Sequence, residues 1–557
     1  MKEMIEEAIA DALKTLGIEG VNFAVDHPTD KNTNADYFSN VALVVAGKVN
    51  QSPKTIAEQL SLALAGVVLN VAKIEVAGPG FLNFYLNRSF FTTKLNDILS
   101  QGDIWGRNDS WAGKRVLVEY TDPNPFKEFH IGHLFTNAVG ESIARLFMMN
   151  GADTKRVNYQ GDVGLHVAHA IWGMQKLGLT PSSTFSAKDL GKAYALGATT
   201  YKVDEQAIVE IRDINKKVYS REDETINALY DAGRKISLAY FETIYTLADT
   251  QFDEYFFESE AGPHGKELVL SNPDIFPESD GARIYDGEAK GLHTRVFLNK
   301  EGLPTYEAKE LALAKLKDER FQGYEHSVIS TANEINEYFK VLLSAMGEVY
   351  PDLALKTEHI GHGMVRLSTG KMSSRTGDVI PAIDFIEEVA EAVKEKTTED
   401  NHQLATDIAI AAIKYATLKG SILQDSIFDK EKALSFEGDS GPYLQYTFAR
   451  IHSVLAKAIE AGVHGSTQLP PHEVYEVEKI VYQFPEVIAT ALAERAPHKV
   501  TTYLTELAGA FNSFYAVEKI ADATDEYAPY KVALAKAVAI TLKNGLWTLG
   551  IKTPEKM

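Results

Sequence analysis

The sequence predicts an α/β protein. A doubly wound parallel sheet lies in the middle, with an α+β domain before it and a helical bundle after it. The apolar run at 116–118 is typical of a buried strand, residues 326–330 are interpreted as a later strand, and helical patterns alternate with them. Before them, short strand patterns mix with amphipathic helices. After residue 380 nearly every segment has helical spacing. No run approaches eighteen apolar residues, so no membrane span is expected.

The length of 557 residues and a hydrophobic fraction of 45% favour several domains with substantial cores. We place an N-terminal additional domain at 1–110, a central α/β domain at 111–380 and a helical domain at 381–557. The polar stretch at about 173–290 is interpreted as an insertion between the two halves of the sheet.

Local signals define the N-terminal domain. Residues 3–16 have helical spacing, 21–25 alternate like a strand, and Ser52 precedes a helix that begins with proline. Residues 74–76 and 81–86 resemble two strands paired around a Gly-Pro-Gly turn. Nothing here suggests chemistry, so a structural or interaction role is expected.

Composition limits the chemistry and the compartment. The chain has no cysteine, which excludes disulfides and thiolate zinc sites, so no structural zinc is expected. Its acidic, amphipathic first residues lack the features of a signal peptide, which favours a cytoplasmic protein. The net charge of −21 argues mildly against nucleic acid, although binding requires only a local basic face.

The most informative motif is His130-Ile131-Gly132-His133, which lies between a predicted strand and a helix. Unpaired amides and the helix dipole bind phosphates at such a helix start, and Gly132 leaves room for a nucleotide against the backbone. The alternative is a helix-capping loop with two surface histidines.

A second motif spans residues 368–378, STGKMSSRTGD. Its glycine and serine content is typical of a loop, and its two cations, Lys371 and Arg375, suit a polyphosphate. Taken alone, a solvated basic turn explains it better.

Together the two motifs resemble the paired signatures of class I aminoacyl-tRNA synthetases, which have a Rossmann-like catalytic domain. The match departs at Ser374-Arg375, where the family has Lys-Ser. The resemblance implies that His130 and His133 stabilise the α-phosphate of ATP and that Lys127 and Lys371 bind its other phosphates. The ATP site it implies comprises His130, Gly132, His133, Lys371, Met372, Ser373, Ser374 and Arg375.

Four further segments resemble arginyl-tRNA synthetases in particular: residues 119–125, 158–164, 434–446 and 549–557. This resemblance covers nearly the whole chain. It implies that the substrates are L-arginine, ATP with Mg²⁺ and tRNA(Arg), and that the enzyme is a monomer. It implies that the domain at 1–110 contacts the tRNA, that 111–380 form the catalytic domain and that 381–557 bind the anticodon. It also implies that bound tRNA often precedes arginine activation.

A guanidinium carries five donors in a rigid, permanently charged fork, so its pocket needs carboxylates. Glu119 and Glu310 match family positions, although the family usually has Asp where this chain has Glu310. Without the resemblance, each acid could equally be a solvated surface charge. The implied arginine site comprises Glu119, Asp122, Asn124, His130, Tyr306 and Glu310.

Tyr443, Gln445, Tyr446 and Arg450 begin the predicted anticodon-binding bundle and are candidates for contacts with unpaired bases. Aromatic residues at helical spacing are as often core. Three rival functions remain at this point. They are a non-catalytic paralogue that binds tRNA or protein, another adenylate-forming nucleotidyltransferase that uses no tRNA, and another synthetase of the same class.

Overall fold

The computed structural model describes residues 1–28, 33–368, 380–395 and 401–557. The chain forms two compact units. The first contains residues 1–105, 454–483 and 510–541, and the second contains residues 106–453, 484–509 and 542–557. Across the described ranges, no helix combines the length and the apolar character needed to cross a bilayer.

The helices, in chain order, are α1 Lys2–Thr15, α2 Val41–Val49, α3 Pro53–Leu64, α4 Arg88–Gln101, α5 Ile131–Met149, α6 Leu165–Lys176, α7 Ala187–Thr200, α8 Glu205–Ser220, α9 Glu224–Leu247, α10 Glu258–Ser271, α11 Tyr306–Arg320, α12 Asn336–Val349, α13 Pro351–Lys356, α14 Ala382–Lys394, α15 His402–Leu418, α16 Lys430–Ala433, α17 Gly441–Glu460, α18 Glu476–Val481, α19 Phe484–Ala493, α20 His498–Val517 and α21 Ala528–Thr548. The strands are β1 Val25–Asp26, β2 Tyr37–Ser39, β3 Val71–Ala77, β4 Phe81–Leu86, β5 Arg115–Glu119, β6 Asp153–Gln160, β7 Glu254–Phe257, β8 Glu278–Ser279, β9 Ala282–Tyr285, β10 Arg295–Leu298, β11 His326–Ala332, β12 Thr357–His362, β13 Val365–Leu367 and β14 Ser426–Phe428.

The first unit contains an antiparallel sheet in the order β1-β2-β4-β3. The predicted hairpin is confirmed, since Ala77 of β3 pairs with Phe81 of β4. The predicted helix start is confirmed as well, because the Ser52 hydroxyl accepts the Thr55 amide at 3.1 Å. The strand expected at 21–25 is wrong in extent, because only Val25–Asp26 pairs with β2.

The second unit is built on a parallel five-stranded sheet in the order β12-β11-β5-β6-β7. Its central strand β5 is fully buried at Val116, Leu117 and Val118, which explains the continuous apolar run. The chain winds outward from β5 to β6 and β7, then returns to β11 on the other side. The sheet therefore has its topological switch point between β5 and β11, where open α/β sheets bind ligands.

The excursion after β6 is shorter than the insertion expected at 173–290. It is helical from α7 to α9, and the chain then rejoins the sheet at β7, where Phe256 pairs with Tyr159. The sequence pattern did not indicate that the chain rejoins the sheet at β7. The segments after β7 are polar, and β7 itself is a short edge strand that needs little apolar sequence.

The end of the chain packs against α5, the helix that follows the histidine motif. Arg145 of α5 donates to the Trp547 carbonyl at 2.9 Å and to the Glu141 carboxylate at 2.7 Å. Lys414 of α15 is fully buried and donates to the Gly550 carbonyl at 2.9 Å. These bonds within the second unit attach Trp547 to α5 and Gly550 to α15.

Candidate active site

The first part of the site is the start of α5, which we call the histidine end (Lys127, His130, Gly132 and His133). His130 is the N-cap, so the first amides of the helix lie beside it. The two imidazole rings stack with centroids 3.7 Å apart and an interplanar angle of 19°. Both residues and Gly132 are only partly exposed.

Both histidines are neutral at physiological pH. Burial, with help from the charge of Lys127, lowers the pKa of His130 to about 4. Burial and its histidine neighbour lower the pKa of His133 well below the usual value. The His130 amide donates to Nδ1 of His133 at 3.3 Å, so the proton of His133 resides on Nε2. His133 therefore offers one directed N–H donor.

Lys127 supplies the formal positive charge at this end. Its ammonium lies 5.0 Å from the centre of the Tyr194 ring. Burial lowers its pKa, while Glu258 acts in the opposite direction. Lys127 forms no salt bridge with any carboxylate of the described residues, and a partly buried ammonium of this kind is well suited to an anionic ligand.

Lys371, Met372, Ser373, Ser374 and Arg375, which carry the second signature, lie outside the described residues. The description of the chain resumes at residue 380. Ile131 donates to the Ile380 carbonyl at 3.2 Å, and Ala382 donates to the Phe129 carbonyl at 2.8 Å. Ile380 and Ala382, which follow the second motif in the sequence, are therefore hydrogen-bonded to the residues on both sides of His130.

The second part of the site is the carboxylate end, formed by Glu119, Asp122 and Glu310 with Lys317. Glu119 is the last residue of β5, and its carboxylate forms an ion pair with Lys317 of α11. Both side chains are nearly inaccessible, at 2% and 3% exposure. The Glu119 oxygen that Lys317 contacts accepts no hydrogen bond within the described part of the chain.

Asp122 and Glu310 complete this end. Asp122 adopts a left-handed backbone conformation with φ +46° and accepts the Tyr159 amide at 3.0 Å. Burial and then the charge of Glu119 raise the pKa of Asp122 well above its usual range. The same two causes raise the pKa of Glu310. Three carboxyl groups thus share the charge of one lysine.

Asn124 and Tyr306 are held by different neighbours. The Asn124 side chain lies so close to Gly161 that a Cβ there would come within 2.2 Å of its oxygen, so residue 161 must be glycine. Tyr306 is 57% exposed, and its ring centre lies 5.4 Å from the ammonium of Lys309. Tyr306 is thus an accessible aromatic surface at the start of α11.

Three functional features were not anticipated from the sequence. Lys317 was missed, although Glu310 and Lys317 are seven residues apart and so share one face of α11. The buried pair Lys309–Glu258, 2.6 Å, was missed because its partners lie 51 residues apart. Asp162 accepts the Arg234 guanidinium and the Ser259 amide, both at 2.8 Å, which gives the Gly-Asp element a structural role.

The candidates on α17 have different environments. Tyr446 is 38% exposed, and the Arg450 guanidinium lies 4.7 Å from its ring centre. Tyr443 is partly exposed. Gln445 is fully buried and donates to the Lys552 carbonyl at 2.8 Å, so its side chain has no surface to offer a base. We therefore remove Gln445 from the candidate contacts.

A parallel sheet with a switch point and a histidine pair at the start of the helix that follows its central strand fit the catalytic domain of a class I aminoacyl-tRNA synthetase. Three family models match this chain. "Arginyl tRNA synthetase N terminal domain" matches residues 2–86, "tRNA synthetases class I (R), catalytic domain" matches 94–430, and "DALR anticodon binding domain" matches 444–557. The chain belongs to the arginyl-tRNA synthetase family.

Relatives match over the full length. An arginine–tRNA ligase of Clostridium kluyveri is 30% identical over 533 residues, covering 92% of each chain. One of Treponema pallidum is 29% identical and covers 100% of this chain and 99% of its own. The solved arginyl-tRNA synthetase of Thermus thermophilus is 26% identical, with a TM-score of 0.77 over the whole of both chains.

Proposed function

We propose that this enzyme activates L-arginine with ATP and Mg²⁺ and transfers it to the 3′-terminal ribose of tRNA(Arg), as a monomer in the cytoplasm. In the first step the arginine carboxylate attacks the α-phosphorus and releases pyrophosphate. In the second, the 2′-hydroxyl of the terminal ribose attacks the adenylate and releases AMP. The observation that carries the proposal is an excess of carboxyl groups beside a helix start with neutral histidines.

The histidine end suits the first step. Nucleotidyl transfer needs positioning and charge stabilisation more than covalent help. Neutral His133 donates Nε2–H to the charge that develops on the α-phosphate. The His130 ring stacks on the His133 ring, and Gly132 leaves room for the nucleotide. Lys127 binds the departing phosphates, together with Lys371. Met372, Ser373, Ser374 and Arg375 complete the ATP contacts.

The carboxylate end suits the side chain of arginine. A guanidinium prefers paired carboxylates in a poorly solvated site, where charge-assisted hydrogen bonds are strong. Glu119 and Glu310 bind the guanidinium, with Asp122 adding negative charge. Asn124 and His130 bind the α-amino and carboxyl groups, and Tyr306 covers the aliphatic part of the substrate.

Contacts with unpaired bases of tRNA are assigned to α17. Tyr446 offers an exposed ring with the Arg450 guanidinium beside it. An aromatic face with an adjacent cation binds unpaired bases by stacking and charge attraction. Tyr443, which is partly exposed on the same helix, is included, and Gln445 is not.

Charging of total tRNA with each labelled amino acid in turn tests the function. We expect arginine alone to be transferred, and only when ATP is present. Charging of a different amino acid would identify another synthetase of this class. Adenylate formation without transfer would indicate the nucleotidyltransferase, and no reaction at all would indicate the non-catalytic paralogue.

A further inference from the structure

Lys317 occupies an unusual position for a lysine. It is 3% exposed inside the second unit, and its ion pair with Glu119 is its only salt bridge in the described ranges of the chain. A buried charge is tolerated only when it is paired, so each of these two residues holds the other in place. Glu119 is the last residue of β5, at the edge of the sheet where ligands bind. Lys317 contacts it from α11 and so fixes the position of the Glu119 carboxylate.

Among the described residues, neither Asp122 nor Glu310 forms a salt bridge with a cation of its own. Lys317 lies seven residues after Glu310 on α11, and both side chains line one small cavity. The Asp122 carboxyl accepts the Tyr159 amide at 3.0 Å. The adjacent acid Glu258 is neutralised by Lys309, 2.6 Å away. With all three acids ionised, the carboxylate end would carry two uncompensated negative charges.

A second observation points to a ligand here. The Tyr159 side chain is 6% exposed, and its buried hydroxyl has no hydrogen-bond partner among the described residues. The pKa of Tyr159 is raised by burial and then by Glu258 and Glu310, which places the hydroxyl beside the acids. A buried hydroxyl without a partner is costly unless a ligand satisfies it.

We propose that Lys317 is a positioning residue for the amino-acid substrate, because it holds the Glu119 carboxylate in its binding position and neutralises one acid. An incoming guanidinium then ionises a second acid, and the proton of that acid passes into solvent. The inference rests on the proposed function and adds a coupling between arginine binding and proton release. The proton leaves a carboxyl oxygen of Asp122 or Glu310 and is taken up by the buffer.

The direction of the pH dependence follows from the surroundings of the two acids. Burial and Glu119 raise the pKa of Asp122 and of Glu310, whereas Lys317 lowers both. Below these raised values the acids are protonated and a guanidinium must displace a proton, so arginine binds more tightly as pH rises. The titratable groups that surround them are Glu119, Tyr159, Tyr245, Glu258, Lys309, Lys317 and Tyr338.

Calorimetry on the unaltered enzyme tests the coupling. Arginine is titrated into the full-length protein with tRNA present, at a pH where the KM for arginine is still falling as pH rises, in two buffers of different ionisation enthalpy. We expect the apparent enthalpies to differ by the amount that corresponds to about one proton released per arginine bound. Binding with equal enthalpy in both buffers overturns this inference alone. No arginine binding in either buffer overturns the proposed function and the inference with it.

Two variants test the role of Lys317. In Lys317→Met the acids lose a positive neighbour, so the pH at which the KM for arginine reaches its low plateau moves upward by about one unit. Lys317→Arg keeps the charge and the wild-type profile. Lys315→Met, which removes a partly exposed lysine of the same helix, is the matched control. An unmoved profile in Lys317→Met, or an equal change in the KM for ATP, contradicts the proposal.

Discussion

The two ends of the candidate active site differ in the charged and dipolar groups that they present to a ligand. The histidine end, around His130 and His133, uses neutral imidazoles and helix amides and holds its charge in Lys127. The carboxylate end holds three acids and one lysine, all ionisable. The dipoles of imidazoles and helix amides suit phosphate groups, because phosphates are themselves charged and must be released after the reaction. Excess acid suits a cation that is to be distinguished from uncharged side chains.

The largest effect is expected at the histidine end. His133→Ala removes the one directed donor, so adenylation should fall about a hundredfold or more, the scale of losing a transition-state donor. The KM for arginine should change little. Pyrophosphate exchange with tRNA present measures both quantities.

His402→Ala, at an exposed histidine outside the site, serves as the control and should retain the wild-type rate. Near-normal turnover in His133→Ala would remove the histidine end from the chemistry.

The next largest effect is expected at the carboxylate end. Glu119→Gln should raise the KM for arginine at least about tenfold while the KM for ATP stays within about twofold, because it weakens a charge-assisted bond to one substrate only. Steady-state kinetics in each substrate separate the two.

Loss of the Lys317 ion pair also lowers stability, so a melting curve must accompany the assay. Glu358→Gln is a matched control, since Glu358 is paired with Arg495 at 2.9 Å near the amino end of β12, away from the ligand edge. Equal changes in both KM values for Glu119→Gln would contradict its assignment to the guanidinium.

The smallest effect is an expected absence of titration at the histidine end. Burial lowers the pKa of His130 to about 4, so His130 stays neutral from pH 6 to pH 8. With arginine saturating, kcat should show no inflection near pH 6.5 in this range. The same shift makes the native state less stable as pH falls from about 6.5 to about 4, because the unfolded chain takes up protons first. A kcat inflection near 6.5 would mean that a histidine works in its charged form.

Much of the fold could be predicted because its signals are local. The apolar run at 116–118 identified the central strand, and Ser52 before a proline marked a helix start. The return of the chain at β7 was missed, since a short edge strand with polar neighbours has no distinctive pattern. Strand order depends on pairing between distant residues, which periodicity does not encode.

The site was predictable to a different degree at each end. The histidine motif is contiguous, so its residues could be named from sequence. Glu119 and Glu310 were found by resemblance, but the pairing of Glu119 with Lys317 joins residues 198 positions apart by sequence number. The seven-residue spacing from Glu310 to Lys317 was the one available signal. Gln445 was misassigned because burial and a partner near the C-terminus cannot be seen in a helical pattern.

The central claim is that the carboxylate end selects its substrate by positive charge. Citrulline tests it most directly, since it replaces the guanidinium of arginine with an uncharged group of nearly the same shape. We predict that citrulline supports pyrophosphate exchange with a kcat/KM at least about a hundredfold below that of arginine, because the acids would be left without a cation. Equal kcat/KM values for citrulline and arginine would contradict the account.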